Sequence, residues 1–130
     1  KKVYNEISPE IIYIPFCNDV HTDHQITAKA FQSTFKSFRH FHINKIFMYE
    51  TLSETEFNFI EQRKFNPNYF LNITNYLDKK IEIMKIYKSE YGIHPFPRSE
   101  KAIKSLAYLR GSQSGFEAAE AYNLIFESVE

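Results

Sequence analysis

Tryptophan is absent from this 130-residue chain, and cysteine occurs once, at position 17. A lone cysteine excludes an internal disulfide and suits a reducing compartment, so the cytoplasm is the expected location. No apolar run approaches the roughly 20 residues needed to span a bilayer, and no secretory leader pattern opens the chain. An excess of one charge sign is also missing: 16 basic and 16 acidic residues leave a formal net charge of zero. Such a balance provides no general attraction to nucleic acid or to anionic membranes. Neither an internal repeat nor a low-complexity segment is evident. What is abundant is aromatic bulk. Phe (13) and Tyr (9) bring the aromatic share to 17% within a 43% apolar total, enough for a packed core in one domain or part of one.

The opening, Lys1 to Glu10, reads as the end of a helix or loop running into a strand, as in a chain entered partway. Ile11-Ile12-Tyr13-Ile14, flanked by Pro9 and Pro15, is a nearly continuous β-branched run. It predicts a strand buried on both faces, in a parallel sheet covered by helices. Residues 16–22 then form a loop at the C-terminal end of that strand, the side on which open α/β sheets bind ligands. A helix is predicted over 23–38, with Ile26, Ala30, Phe31, Phe35 and Phe38 as its apolar stripe and Thr22 or Asp23 as its cap. Ile43 to Tyr49 is a second strand, followed by a loop to about Phe70 that is long enough to be a lid or binding loop. The clearest helix covers 74–91, capped by Thr74 and closed by a left-handed Gly92. After the stiff stretch His94-Pro95-Phe96-Pro97-Arg98, Ser99 caps a helix over about 100–110 that stops at Gly111. Residues 120–126 read as a strand. The predicted class is α/β: a Rossmann-like, mostly parallel sheet with flanking helices.

His21-Thr22-Asp23-His24 lies where the first strand gives way to the first helix. A neutral imidazole is a good zinc ligand, and a catalytic zinc holds three protein ligands plus water. Two histidines three apart on such a turn can face one cavity, with Asp23 fixing a ring tautomer. One histidine then suits a metal and the other an acid or oxyanion role. The plain alternative is two surface histidines at the start of an ordinary helix, with Asp23 placed there for dipole reasons.

Asn18-Asp-Val-His-Thr-Asp-His24 resembles the second metal motif of the LmbE-like, or PIG-L-type, deacetylases, zinc-dependent hydrolases that remove N-acyl groups from amino sugars. Further matches run in order along the chain: Tyr49-Glu50; Phe65 to Phe70 with Asn72-Ile73; Pro97-Arg98-Ser99; Arg110-Gly111; and Gly115 with Ala119-Glu120-Ala121. The resemblance implies that His24 ligates zinc. It further implies that His21 stabilises the oxyanion and protonates the leaving amine, and that Asp23 orients His21. One departure stands out. The family's His-Pro-Asp-Asp motif, source of two more ligands and the water-activating aspartate, has no counterpart here; His94-Pro95 is followed by Phe96-Pro97. The chain is therefore expected to be the C-terminal portion, residues 1–130, of one such domain, and inactive by itself.

Other residues carry lesser weight. Arg98 is suited to bidentate contact with a sugar hydroxyl, phosphate or carboxylate. Asp19 is close enough in sequence to reach a sugar hydroxyl, and Tyr49 ends a strand on the ligand side. His40 and His42 read as surface residues, and Cys17 as a small buried filler. Lys79, Lys80, Lys85 and Lys88 share a helix with Asp78, Glu82 and Glu90, a solvated self-pairing face. The expected function is zinc-dependent deacetylation of an N-acetylated saccharide in glycan or cell-surface polysaccharide synthesis. No nucleic-acid partner or membrane span is expected, and a bare sheet edge would permit self-association. The rivals are a non-catalytic α/β module that binds a ligand or partner, and an unrelated interaction domain in which the motif is accidental.

Overall fold

The β-branched run at Ile11–Pro15 forms strand β1, which lies parallel to β2 (Lys45–Tyr49) in the register Ile11↔Lys45 to Pro15↔Tyr49. A parallel neighbour requires a crossover, and the crossover here contains helix α1 (Thr22–Thr34). The computed structural model describes residues 6–129. Of the opening segment, residues 6 and 7 are helical, and residues 1–5 lie outside the described ones. The remaining elements are β3 (Tyr69–Asn72), α2 (Leu77–Ile86), α3 (Glu100–Ser114) and β4 (Ala119–Glu127), and the sheet order is β1-β2-β4-β3. The chain divides into two compact units: residues 1–68 with 122–130, and residues 69–121.

In the first unit, Ile14, Ile43 and Ile46 form a buried cluster, flanked by Ile12, Phe31, Phe35, Met48 and Phe126. Each fully buried aliphatic side chain here contributes about 1.5–3 kcal/mol. The cluster uses one face of β1 only. Ile11 is 48% exposed and Tyr13 50%, so β1 is not buried on both faces as its continuous apolar run predicts. Alternating side chains point to opposite faces, and on the second face Tyr13 stacks on Phe47 at 5.2 Å while keeping half its surface open.

The sheet is mixed, not mostly parallel. β4 runs antiparallel to β2, from Lys45↔Glu127 to Tyr49↔Tyr122, with an irregularity between Ile46 and Phe47. Alternation at Tyr122, Leu124 and Phe126 identifies a strand but carries no information about its direction. α1 ends at Thr34, four residues earlier than its stripe suggests. The Ser33 and Thr34 hydroxyls donate to the Ala30 and Phe31 carbonyls at 2.8–3.1 Å, competing with the helical ladder. Phe35 leaves the helix and meets Phe126 edge-on at 5.3 Å. His40, read as a surface residue, is only 5% exposed; its ring stacks on Phe35, with His42 edge-on to it.

In the second unit, the helix expected over 74–91 is shorter. A single 3-10 turn, Thr74–Tyr76, leads into α2, which ends at Ile86. The Thr74 hydroxyl does not cap it and instead accepts from the Ala118 N–H. Gly92 does not adopt a left-handed conformation; Gly115, at φ 78°, does, closing α3. Ser99 caps α3 as expected, accepting from the Ala102 N–H at 3.3 Å. The helix does not stop at Gly111 but passes through it to Ser114, and the glycine makes room for the returning chain: a Cβ there would lie 2.6 Å from the Phe116 and Glu117 carbonyl oxygens. Leu77, Ile81, Ile103, Ala107 and Gly111 are the buried residues of α2 and α3. The lysine-rich face pairs partly within its own helix (Lys79 to Glu82) and partly beyond it, Lys85 to Glu100 and Lys80 to Glu120. Among the described residues, no helix is long and apolar enough to cross a membrane.

Candidate active site

After β1 the chain stays tied to β2 for one more residue, through the Phe16 N–H to the Tyr49 carbonyl at 3.1 Å. It then folds back, and the Asp19 N–H donates to the Phe16 carbonyl at 3.2 Å. This turn carries Asp19 inward, where it has no exposed surface, while Val20 and His21 stay exposed. His21 begins α1 as its N-cap. Its Nδ1 accepts from the Asp23 N–H at 3.2 Å, and its carbonyl accepts from the Gln25 N–H. One turn later, His24 places Nδ1 2.8 Å from Asp19 Oδ2. The two imidazole rings lie 5.1 Å apart, tilted by 31°.

Asp19 is the hub of this turn. Its second carboxylate oxygen accepts from the Thr55 hydroxyl at 2.6 Å, and its carbonyl accepts from Gln25 Nε2 at 2.6 Å. The Thr55 hydroxyl in turn accepts from the Thr51 N–H at 2.8 Å. Hydrogen bonds from the loop after β2 and from the His24 side therefore converge on one buried carboxylate. Ser53, at the tip of that loop, has φ 78°, a left-handed conformation that a non-glycine residue adopts only when its surroundings impose it. Beside Asp19, burial and then the carboxylate's charge hold the Tyr49 phenol above its usual value.

These contacts redistribute the expected roles. The carboxylate that grips an imidazole is Asp19, not Asp23, and the imidazole is that of His24, not His21. Asp23 meets His21 through its backbone N–H, and its side chain lies in the first turn of α1, where the dipole favours it. Asp19, expected to reach a sugar, is instead enclosed with both oxygens engaged. Tyr49 does lie in the same neighbourhood. Arg98 belongs to the second unit, where its guanidinium binds the Glu90 carbonyl and carboxylate at 2.8 Å and lies over the Phe96 ring. Thr55 and Gln25 carried no sequence signal: Thr55 is 36 positions from its partner, in an irregular loop.

A catalytic zinc needs three protein donors. Among the described residues, no group of three His, Cys, Asp or Glu side chains is arranged to hold a metal ion. His24 fits one position of such a centre, since a ligating histidine characteristically gives its other nitrogen to a carboxylate. Two more donors would have to come from outside the described residues. Compared with known proteins, the chain matches no family model and no curated protein.

Proposed function

We propose that this chain forms part of a zinc-dependent deacetylase of the LmbE-like type, acting on an N-acetylated amino sugar within a Rossmann-like domain. The observation that carries the proposal is the hydrogen bond between His24 Nδ1 and the buried Asp19 carboxylate, which engages one ring nitrogen and leaves Nε2 to serve as a ligand. The β1–α1–β2 unit adds support, since its two strands are parallel and the turn lies at the C-terminal end of β1.

Zinc, when bound, would supply a polarised acyl oxygen and a water of lowered pKa. The group that activates the water and two further zinc ligands would come from outside the described residues; three side chains of this chain take the other roles. His24 offers Nε2 to the ion, and Asp19 holds its ring. His21 presents its outer nitrogen beside His24; it donates to the oxygen that gains charge as the amide carbon becomes tetrahedral, and the proton it passes to the departing amine is replaced by the one the attacking water releases. Water adds across the C–N bond, giving acetate and a free amino sugar. The 130 residues alone are expected to be inactive, since one ligand does not retain a catalytic zinc.

A second reading is a non-catalytic α/β module that binds a ligand or partner; it is consistent with the described residues, which contain no three-donor group. Metal analysis of the longest natural chain containing these residues separates the two. One zinc per chain, lost in His24→Ala together with hydrolysis of an N-acetylated amino sugar, supports the deacetylase. A zinc-free, inactive full chain supports the module. Hydrolysis by the 130 residues alone would overturn the expectation of inactivity.

A further inference from the structure

We propose that this turn holds its two histidines in opposite tautomers, with Asp19 and Thr55 as positioning residues for one of them and the helix N-terminus fixing the other. His24 Nδ1 faces Asp19 Oδ2 at 2.8 Å, while Thr55 donates to Asp19 Oδ1 at 2.6 Å. A carboxylate that already receives a hydroxyl proton on one oxygen accepts on the other, so the His24 proton resides on Nδ1 and its Nε2 carries the lone pair. His21 is the reverse case. Its Nδ1 accepts the Asp23 N–H, so when the ring is neutral its proton is on Nε2. Two imidazoles 5.1 Å apart thus offer a lone pair and an N–H from the same ring position.

The assignment has a structural basis that extends beyond the motif. Asp19 has no exposed surface, so no water competes for its oxygens. Thr55 is polarised by the Thr51 N–H, which strengthens its donation. The carbonyl of Asp19 is held by Gln25, which fixes the turn from the helix side. The loop after β2 therefore determines which nitrogen His24 offers, through a residue remote from the motif in sequence. The tautomers stand on these hydrogen bonds; their use, a lone pair for a cation and an N–H for an oxyanion, rests on the deacetylase reading.

The test is a long-range ¹H–¹⁵N spectrum of the histidine rings in the ¹⁵N-labelled 130-residue chain, at mildly alkaline pH where an ordinary imidazole is neutral. His21→Gln and His24→Gln assign the two rings. The expected wild-type spectrum shows His24 protonated at Nδ1 and His21 at Nε2. Thr55→Val should convert the His24 pattern to a mixture and leave His21 unchanged, and Thr55→Ser should restore the wild-type pattern. The same tautomer on both rings, or a Thr55→Val spectrum identical to wild type, overturns the proposal. If Thr55→Val does not fold, the wild-type and Thr55→Ser spectra decide. A zinc-free natural chain would defeat the deacetylase reading and leave this result standing, so the two failures are distinguishable.

Discussion

Thr55 and Asp19, 36 positions apart in the chain, meet at 2.6 Å with the carboxylate fully enclosed. Removing either partner leaves a buried polar group without its bond, at a cost of about 1–3 kcal/mol per group. Asp19→Ala strips a partner from both Thr55 and His24 and should lower stability by about 2–4 kcal/mol. Thr55→Val should lose about 1–2 kcal/mol, and Thr55→Ser should stay near wild type. Urea denaturation followed by circular dichroism measures all three. An Asp19→Ala midpoint equal to wild type would mean that the enclosed carboxylate contributes nothing to the turn.

Tyr49 titrates late because burial, and secondarily the charge of Asp19, disfavour its phenolate. A group whose folded pKa is raised contributes stability that is fully present below its unfolded value, near 10, and is lost as pH rises through the folded value. Ultraviolet titration should therefore show a phenol ionising above the free-tyrosine value. Asp19→Asn should move that phenol partway down, since burial remains. Tyr49→Phe should remove the late step and flatten the alkaline fall in stability. A titration unchanged by Tyr49→Phe would assign the late phenol to another residue.

Glu100 shows the opposite sign. Hydrogen bonds from Lys85 and then Lys104 draw its carboxyl down to about 2. A depressed carboxyl contributes stability above its unfolded pKa, and that contribution is lost as pH falls from about 4.5 toward 2. Glu100→Gln should reduce the slope of stability against pH across that window and lower the neutral-pH value by the same amount, which solvent screening of these partly exposed groups keeps small. High salt should mimic the variant by screening the pairs. Thermal melts at several pH values compare the slopes; parallel curves for wild type and Glu100→Gln would remove Glu100 from the acid response.

Much of the architecture is legible in residue patterns. β1, β2, α3 and β4 follow from β-branched runs, the Ser99 cap and the alternation after Gly115. The less legible features depend on partners distant in sequence. The direction of β4 is set by pairing with β2, which alternation does not encode. α1 loses its last turn to hydroxyls bonding back to carbonyls and to the departure of Phe35 toward Phe126. His40 is buried against a ring that neighbouring residues do not announce. At the site, the importance of His21 and His24 is visible from their spacing, whereas the choice of carboxylate is not. Asp23 adjoins His24 in sequence and is as near to His21 as Asp19 is, but on the helix its side chain stays in the exposed first turn; the fold-back at Phe16 aims Asp19 at His24 instead.

Gly111 and Gly115 look alike in sequence, as brackets of a turn, and differ in physical role. Gly115 is required for its backbone: at φ 78° an alanine is strained by about 1 kcal/mol, although its Cβ would meet nothing within 4 Å. Gly111 is helical and is required for space. An alanine Cβ there would sit 2.6 Å from two backbone carbonyl oxygens, which cannot move aside as a flexible side chain would. Gly111→Ala should therefore cost more than Gly115→Ala, about 2–4 kcal/mol against about 1, despite alanine's better helix propensity. Gly115→Asn should recover most of the loss at that position, because asparagine tolerates the left-handed region, whereas Gly111→Asn should be worse than Gly111→Ala. Chemical denaturation of the four variants ranks them, and a Gly111→Ala more stable than wild type would show that the turn at Phe116 and Glu117 shifts to admit the methyl group.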